Sequence, residues 1–215
     1  MKCVFLLGFS TTGKSSILCE FNKKYGESLD TLDSDKEVSK PDGAHIYDVY
    51  LQFRKGHDTK NAISEIERRE RAFLQAVRPE AKPLLLAGGP FLPSREPEWL
   101  TFVDRVRPVL FYLQKTPEDV LTGLRNRRAK HNIKCPVLAS DPGFGCWDQD
   151  VTTTYCDGRW VELEDDQALA NIRKHMAGMV KKYEILASQT FTWQERQTPQ
   201  GQERLNTAIR QELGL

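Results

Sequence analysis

Short apolar runs alternate along this chain with longer stretches in which apolar residues recur every three or four positions. Lys2–Gly8 is almost wholly apolar after its first residue, and comparable runs occupy roughly Ser28–Leu32, Pro83–Ala87, Val109–Gln114 and Gln189–Trp193. Runs this short, with little polar alternation, fit strands buried on both faces, as in a parallel sheet. The segments between them carry helical periodicity: Ser15–Tyr25 (Ile17, Leu18 and Phe21 on one face), Ala44–Arg54, Ala62–Val77, Glu96–Arg105, Pro117–Lys130, Ala168–Leu186 and Pro199–Leu213. Thr116-Pro117-Glu118-Asp119 is a helix start, with a capping hydroxyl, Pro at the first position and acids at the positive end of the dipole. Alternating strands and helices predict an α/β fold whose parallel sheet is covered on both faces, with the strand C-terminal ends and the site along one edge. Residues 131–166 interrupt the rhythm. They hold Pro136, Pro142, Gly143, Gly145, Gly158 and several Asp, together with Phe144, Trp147, Tyr155 and Trp160. A stretch of this length without a period is expected to be a functional insertion, here a lid. Trp147, Asp148 and Asp150, with Tyr155-Cys156-Asp157, either close over an acceptor or form a small satellite core.

The length, 215 residues, suits one domain over 1–215 with 131–166 as its insertion. Thirty-one basic residues against 30 acidic give a net charge of +1, so no nucleic-acid or membrane partner is expected. No apolar run approaches a membrane span, and the chain opens on a core strand rather than a signal peptide, which reads as cytoplasmic. A monomer or homodimer is expected. Cys3, Cys19, Cys135, Cys146 and Cys156 contain no C-x-x-C pair and make no disulfide framework. Cys3 and Cys19 read as small core residues, and the spacing of the others is too loose for a zinc site.

The chemistry begins at residues 8–15, Gly8-Phe9-Ser10-Thr11-Thr12-Gly13-Lys14-Ser15, a G-x-x-x-x-G-K-[ST] loop lying between a predicted strand and a predicted helix. Its glycines allow the tight turn that points successive N–H groups into one concavity, Lys14 brings a positive charge to the β- and γ-phosphates, and Ser15 offers a hydroxyl to Mg²⁺. Gly8, Ser10, Thr11, Thr12, Gly13, Lys14, Ser15 and Ser16 are therefore the expected nucleotide-phosphate-binding residues. After the second strand comes Asp30-Thr31-Leu32-Asp33-Ser34-Asp35. Asp33 and Asp35 suit two roles beside a phosphate loop: orienting Mg²⁺, assigned to Asp33 with Ser15, and accepting the proton of an attacking hydroxyl, assigned to Asp35. The run Leu84–Ala87 ends in Gly88-Gly89, where a backbone can approach a ligand closely. Arg125, Arg127 and Arg128 end a helix leading into the insertion; Arg125 and Arg128 are the expected cations over the phosphates, with favourable placement near the helix C-terminus as the plainer account.

These segments, in this order, resemble shikimate kinases: the phosphate loop, Asp33-Ser34-Asp35, the Leu-rich strand into Gly88-Gly89, Val109–Leu113, and the late Tyr183-Glu184-Ile185-Leu186-Ala187. The resemblance covers about 1–128 and 180–215. It implies a three-layer P-loop kinase fold, with a five-stranded parallel sheet in the order 2-3-1-4-5, an enlarged lid insertion, and ATP with Mg²⁺ as cofactors. The chain departs from the family pattern on the acceptor side. Pro90 replaces a third glycine, Glu67 occupies the Arg position of an F-R-x-x-E segment, Cys135-Pro136-Val137-Leu138 replaces R-P-L-L, and the Arg expected shortly before Tyr183 is missing. Arg54 or Arg68 is the expected replacement, beside Asp35, Gly88 and Gly89 as acceptor-binding residues. The reading is a kinase moving the γ-phosphoryl of ATP to a hydroxyl of a small molecule that is shikimate-like, sugar-like or an antibiotic. Its alternatives are a nucleotide-binding regulator with a degenerate kinase site, and a GTPase-like switch, for which Asn22-Lys23-Lys24-Tyr25 lacks the Asp of N-K-x-D.

Overall fold

In a computed structural model, which describes residues 2–40, 60–78, 81–89, 92–130, 152–156 and 159–215, the apolar runs form the centre of the molecule. Strands β1 (Cys3–Leu7), β2 (Asp30–Asp33), β3 (Leu84–Ala87), β4 (Val109–Gln114) and β7 (Gln189–Thr192) make one parallel sheet in the order β2-β3-β1-β4-β7. This is the expected 2-3-1-4-5 order. Its fifth strand is numbered seventh because a two-stranded antiparallel hairpin, β5 (Thr153–Cys156) and β6 (Arg159–Glu162), precedes it in the chain.

Strand alternation splits the core into two layers. Cys3, Phe5 and Leu7 of β1, Leu84 and Leu86 of β3, and Leu110 and Tyr112 of β4 face one side. Val4, Leu6, Leu85, Ala87, Phe111, Leu113 and Phe191 face the other. Helices α1 (Lys14–Tyr25) and α8 (Pro199–Leu213) cover the second face, through Leu18 and Phe21 and through Leu205, Ile209 and Leu213. Helices α3 (Lys60–Ala76), α4 (Glu98–Val106), α5 (Pro117–Lys130) and α6 (Asp165–Leu186) cover the first. Two short helices, α2 (Ser34–Ser39) and α7 (Trp193–Arg196), follow β2 and β7 directly. Among the described residues no helix is long and apolar enough to cross a membrane.

Helix starts follow local chemistry. Thr116 Oγ1 accepts the Asp119 N–H at 3.1 Å, and Thr198 Oγ1 accepts the Gly201 N–H at 3.0 Å ahead of Pro199, the first residue of α8. Helix α6 begins at Asp165, three residues before the expected Ala168, because Asp165 and Asp166 suit a first turn. The expected helix Ala44–Arg54 lies outside the described residues. The stretch 152–166, expected to lack a period, contains the β5–β6 hairpin and the start of α6. Cys19 is exposed rather than a core residue, because α1 buries its Leu18 and Phe21 side; Cys3 is buried, and burial pushes its thiol up to about 12.

Candidate active site

Parallel pairing aligns the strand ends. Leu6 pairs with Ala87, Ala87 with Asp33, Leu7 with Tyr112 and Gln114 with Thr192. The segments that follow, Gly8–Gly13, α2, Gly88-Gly89, Lys115-Thr116 and α7, therefore emerge along one edge, where open α/β sheets bind ligands.

The phosphate loop depends on positive φ. Gly13, at φ 88°, ends the loop at the N-cap of α1, and Gly8 has φ 152° with Leu113 O and Thr12 Oγ1 each 2.9 Å from where a Cβ would stand. Thr11 also has positive φ, 65°, an outlier for a β-branched residue and a conformation held by its surroundings. Lys115 Nζ donates to Thr11 Oγ1 at 3.5 Å, and Gly123 of α5 gives the Thr11 side chain room, since a Cβ there would lie 2.4 Å from Oγ1. Thr12 is buried, and its Oγ1 donates to Phe9 O at 2.9 Å. The Lys14 ammonium donates to Gly8 O at 2.7 Å and Phe9 O at 3.0 Å, which holds its charge over the loop.

A second layer joins the loop to the far wall. Ser15 Oγ donates to Asp33 Oδ2 at 2.6 Å. Asp33 is the N-cap of α2, its Oδ1 accepting the Asp35 N–H at 3.2 Å. Ser34 Oγ accepts the Gly89 N–H at 2.7 Å, which binds α2 to the end of β3. Asp35 Oδ1 lies 3.1 Å and Glu70 Oε1 3.6 Å from the Cβ position of Gly89. Glu70 is buried, and desolvation holds its carboxyl above the usual range against the pull of Arg95, with Asp35 and Glu67 adding to the rise. Arg95 donates from Nε to Glu70 at 2.5 Å and from Nη1 to Glu67 at 2.9 Å.

Lys14, Ser15, Asp33, Asp35 and Gly89 thus come together, and Ser10, Thr11, Thr12 and Ser16 lie in the loop or the first turn of α1. Gly88 serves the core instead, since a Cβ there would lie 2.3 Å from the Phe5 ring. Arg68 is exposed and forks onto Glu65, because a residue one step from Glu67 on α3 falls on a different helix face. Arg125 is committed to Glu162, Asp165 and the Leu163 carbonyl, which ties α5 to the chain entering α6. Arg128 lies in the last turn of α5, with its side chain outside the described residues, and Arg54 lies outside them entirely.

Residues without a sequence signature complete the edge. Arg196 is buried; its Nη1 donates to Thr12 O at 2.8 Å, and burial lowers its guanidinium to about 10. Its guanidinium lies 5.2 Å and the Lys115 ammonium 3.7 Å from the Trp193 ring centre. Gly123, Arg95, Trp193 and Arg196 carry no motif, whereas Glu70 stands at the Glu position of the F-R-x-x-E-like segment whose Arg position is held by Glu67. The one signal the other four offer in the sequence is position: each lies near a strand end or on a helix facing one.

No protein-family model matches the chain, and no curated protein matches it. Solved structures do. A shikimate kinase from Acinetobacter baumannii, in complex with shikimate, aligns with 100% of this chain and 94% of its own, at TM-score 0.58 and 18% identity. The shikimate kinase from Bacteroides thetaiotaomicron aligns with 100% of this chain and 99% of its own, at TM-score 0.60 and 13% identity. The sheet order, the phosphate loop and these neighbours together make the architecture a shikimate kinase-like P-loop kinase fold.

Proposed function

We propose that this protein is a small-molecule kinase that transfers the γ-phosphoryl group of ATP to a hydroxyl, assisted by Mg²⁺. The observation that carries the reading is the polar path hydrogen-bonded from Ser15 through Asp33 to Asp35, with Lys14 held over the phosphate loop at one end and Gly89 beside Asp35 at the other. Phosphoryl transfer needs mainly positioning and charge neutralisation, and this path supplies both.

The loop N–H groups and Lys14 hold the phosphates. The donor set fits Mg²⁺, a hard cation that takes one or two protein oxygens beside phosphates and water: Ser15 Oγ and an Asp33 oxygen already share one hydrogen bond at 2.6 Å. Bound there, Mg²⁺ would neutralise charge on the phosphate oxygens. Asp35 orients the acceptor hydroxyl against Gly89 and takes its proton as the acceptor oxygen bonds to phosphorus. The bond from phosphorus to the oxygen retained by ADP breaks.

The test is ADP release from ATP and Mg²⁺ across a panel of hydroxylated compounds, using wild type, Lys14→Ala and Asp35→Asn. An acceptor-dependent rate is expected in the wild type and none in Lys14→Ala. Asp35→Asn should bind ATP normally while turnover drops about 10²–10⁴-fold. A wild-type rate that no acceptor raises, or equal turnover in Asp35→Asn, refutes the reading.

A further inference from the structure

Thr11 is the non-glycine residue of the phosphate loop with positive φ. At 65° it lies in the left-handed region, where a β-branched side chain crowds its own backbone and glycine does not. Such a conformation persists only where the surrounding structure holds it. Gly123 of α5 supplies one constraint: a Cβ there would stand 2.4 Å from Thr11 Oγ1 and 2.7 Å from Thr11 Cβ, so the helix backbone lies directly against the side chain. Lys115 supplies another, its ammonium donating to Thr11 Oγ1 at 3.5 Å.

Lys115 is itself fixed. It follows β4 directly and is 5% exposed. Its ammonium sits 3.7 Å from the centre of the Trp193 ring and donates to the Asp119 carbonyl at 3.4 Å. Asp119 is tied in turn, its Oδ2 accepting from Thr116 Oγ1 at 2.9 Å and from Gln194 Nε2 at 3.0 Å. Trp193 and Gln194 open α7, immediately after β7. An ammonium aimed by an aromatic face and a carbonyl has little freedom, and both contacts strengthen where water is excluded. The ends of β4 and β7 thus converge on one side chain of the phosphate loop.

We propose that Lys115, seated on Trp193, is a positioning residue that holds Thr11 at positive φ and keeps the phosphate loop in its binding shape before a nucleotide arrives. The inference rests on the kinase reading of the same site and concerns its nucleotide binding, not the transfer step. A loop shaped in advance loses less freedom on binding, which is how preorganisation gains affinity. Because Lys115 acts through the backbone at position 11, its contribution disappears once that position no longer needs holding.

The experiment is a double-variant cycle read by calorimetry with a non-hydrolysable ATP analogue and Mg²⁺. Glycine takes positive φ without crowding, so Thr11→Gly removes both the strain and the hydroxyl that Lys115 reaches. Lys115→Met, close in length and without the charge, should weaken analogue binding about tenfold in the otherwise wild-type chain. In the Thr11→Gly background the same change should cost less than about threefold. Trp193→Leu should weaken binding in the same direction, and Trp193→Phe, which keeps a ring face, should recover most of the loss. An equal penalty from Lys115→Met in both backgrounds would assign Lys115 to the phosphates themselves and overturn the inference. So would no penalty in the otherwise wild-type chain, a Trp193→Leu protein that binds like wild type, or a wild type that binds no analogue. Failure of the kinase reading shows elsewhere, as analogue binding without acceptor-dependent ADP release.

Discussion

Gly88 and Gly89 are adjacent at the end of β3, yet a methyl group on each meets different chemistry. At 88 it would press on the Phe5 ring from 2.3 Å. That ring cannot swing aside, because Trp99 and Phe102 pack against it with centroids at 5.4 and 5.8 Å. Overpacking of this kind costs about 1–3 kcal/mol, a fall of roughly 2–4 °C in melting temperature per kcal/mol for a chain this long. At 89 a methyl would stand among Asp35, Ser34 and Glu70, at ordinary or slightly tight distances, where the acceptor is proposed to lie. Gly88→Ala should therefore lower the melting temperature and leave the acceptor KM near the wild-type value. Gly89→Ala should raise that KM and melt near the wild-type temperature. Thermal melts and steady-state kinetics on the two variants decide this, and the reverse pattern would show that the assignments are exchanged.

Among the elements, those carried by local sequence were legible and those made by distant contacts were not. The apolar runs marked the inner strands β1, β3 and β4, which bury both faces, whereas the edge strands β2 and β7 are polar and only partly buried; the phosphate loop was readable because its spacing encodes backbone shape. The β5–β6 hairpin escaped within a Pro- and Gly-rich stretch, although Asp157-Gly158 between Thr153–Cys156 and Arg159–Glu162 is a strong hairpin signal. Arg196 was not legible at all, since its partner Thr12 is 184 positions away. Helix α7 nonetheless carries a clear expectation. Thr192 caps it, accepting the Glu195 N–H at 3.2 Å, and the buried Arg196 then fixes the Thr12 carbonyl from behind the loop. On the proposed kinase reading, Arg196 is a positioning residue for the phosphate loop. Arg196→Met, close in length but without the donor, should raise the KM for ATP about tenfold, roughly 1.4 kcal/mol, with a smaller change in kcat, and Arg196→Lys should recover part of the loss. Equal KM values in all three proteins would remove Arg196 from that role.

Across the whole molecule, acid acts on two carboxylate networks of α3 in opposite directions. The Arg68 hydrogen bond, followed by that of Arg69, lowers Glu65 to about 2 even though burial pulls the other way. Its unfolded counterpart titrates near about 4.3. A lowered carboxyl stabilises the fold above the unfolded value, and that contribution disappears as the pH falls through the native one. Glu70 is raised, chiefly by desolvation, with Arg95 opposing. Its charge, where it is ionised, is costly to the fold. That cost is relieved as the pH falls through the raised native value, and the relief is complete once the unfolded carboxyl is protonated as well. Glu70 should therefore add stability as the pH falls through its raised native value to the unfolded value of about 4.3, and Glu65 should withdraw it from about 4.3 down to about 2. Urea unfolding at stepped pH separates the two. Glu70→Gln should flatten the first limb and leave the second intact, and Glu65→Gln should do the opposite. The comparison uses slopes, so a constant penalty from leaving Arg95 or Arg69 less well paired shifts each curve without changing its shape. If both variants keep the wild-type slopes on both limbs, these glutamates do not set the acid response of the fold.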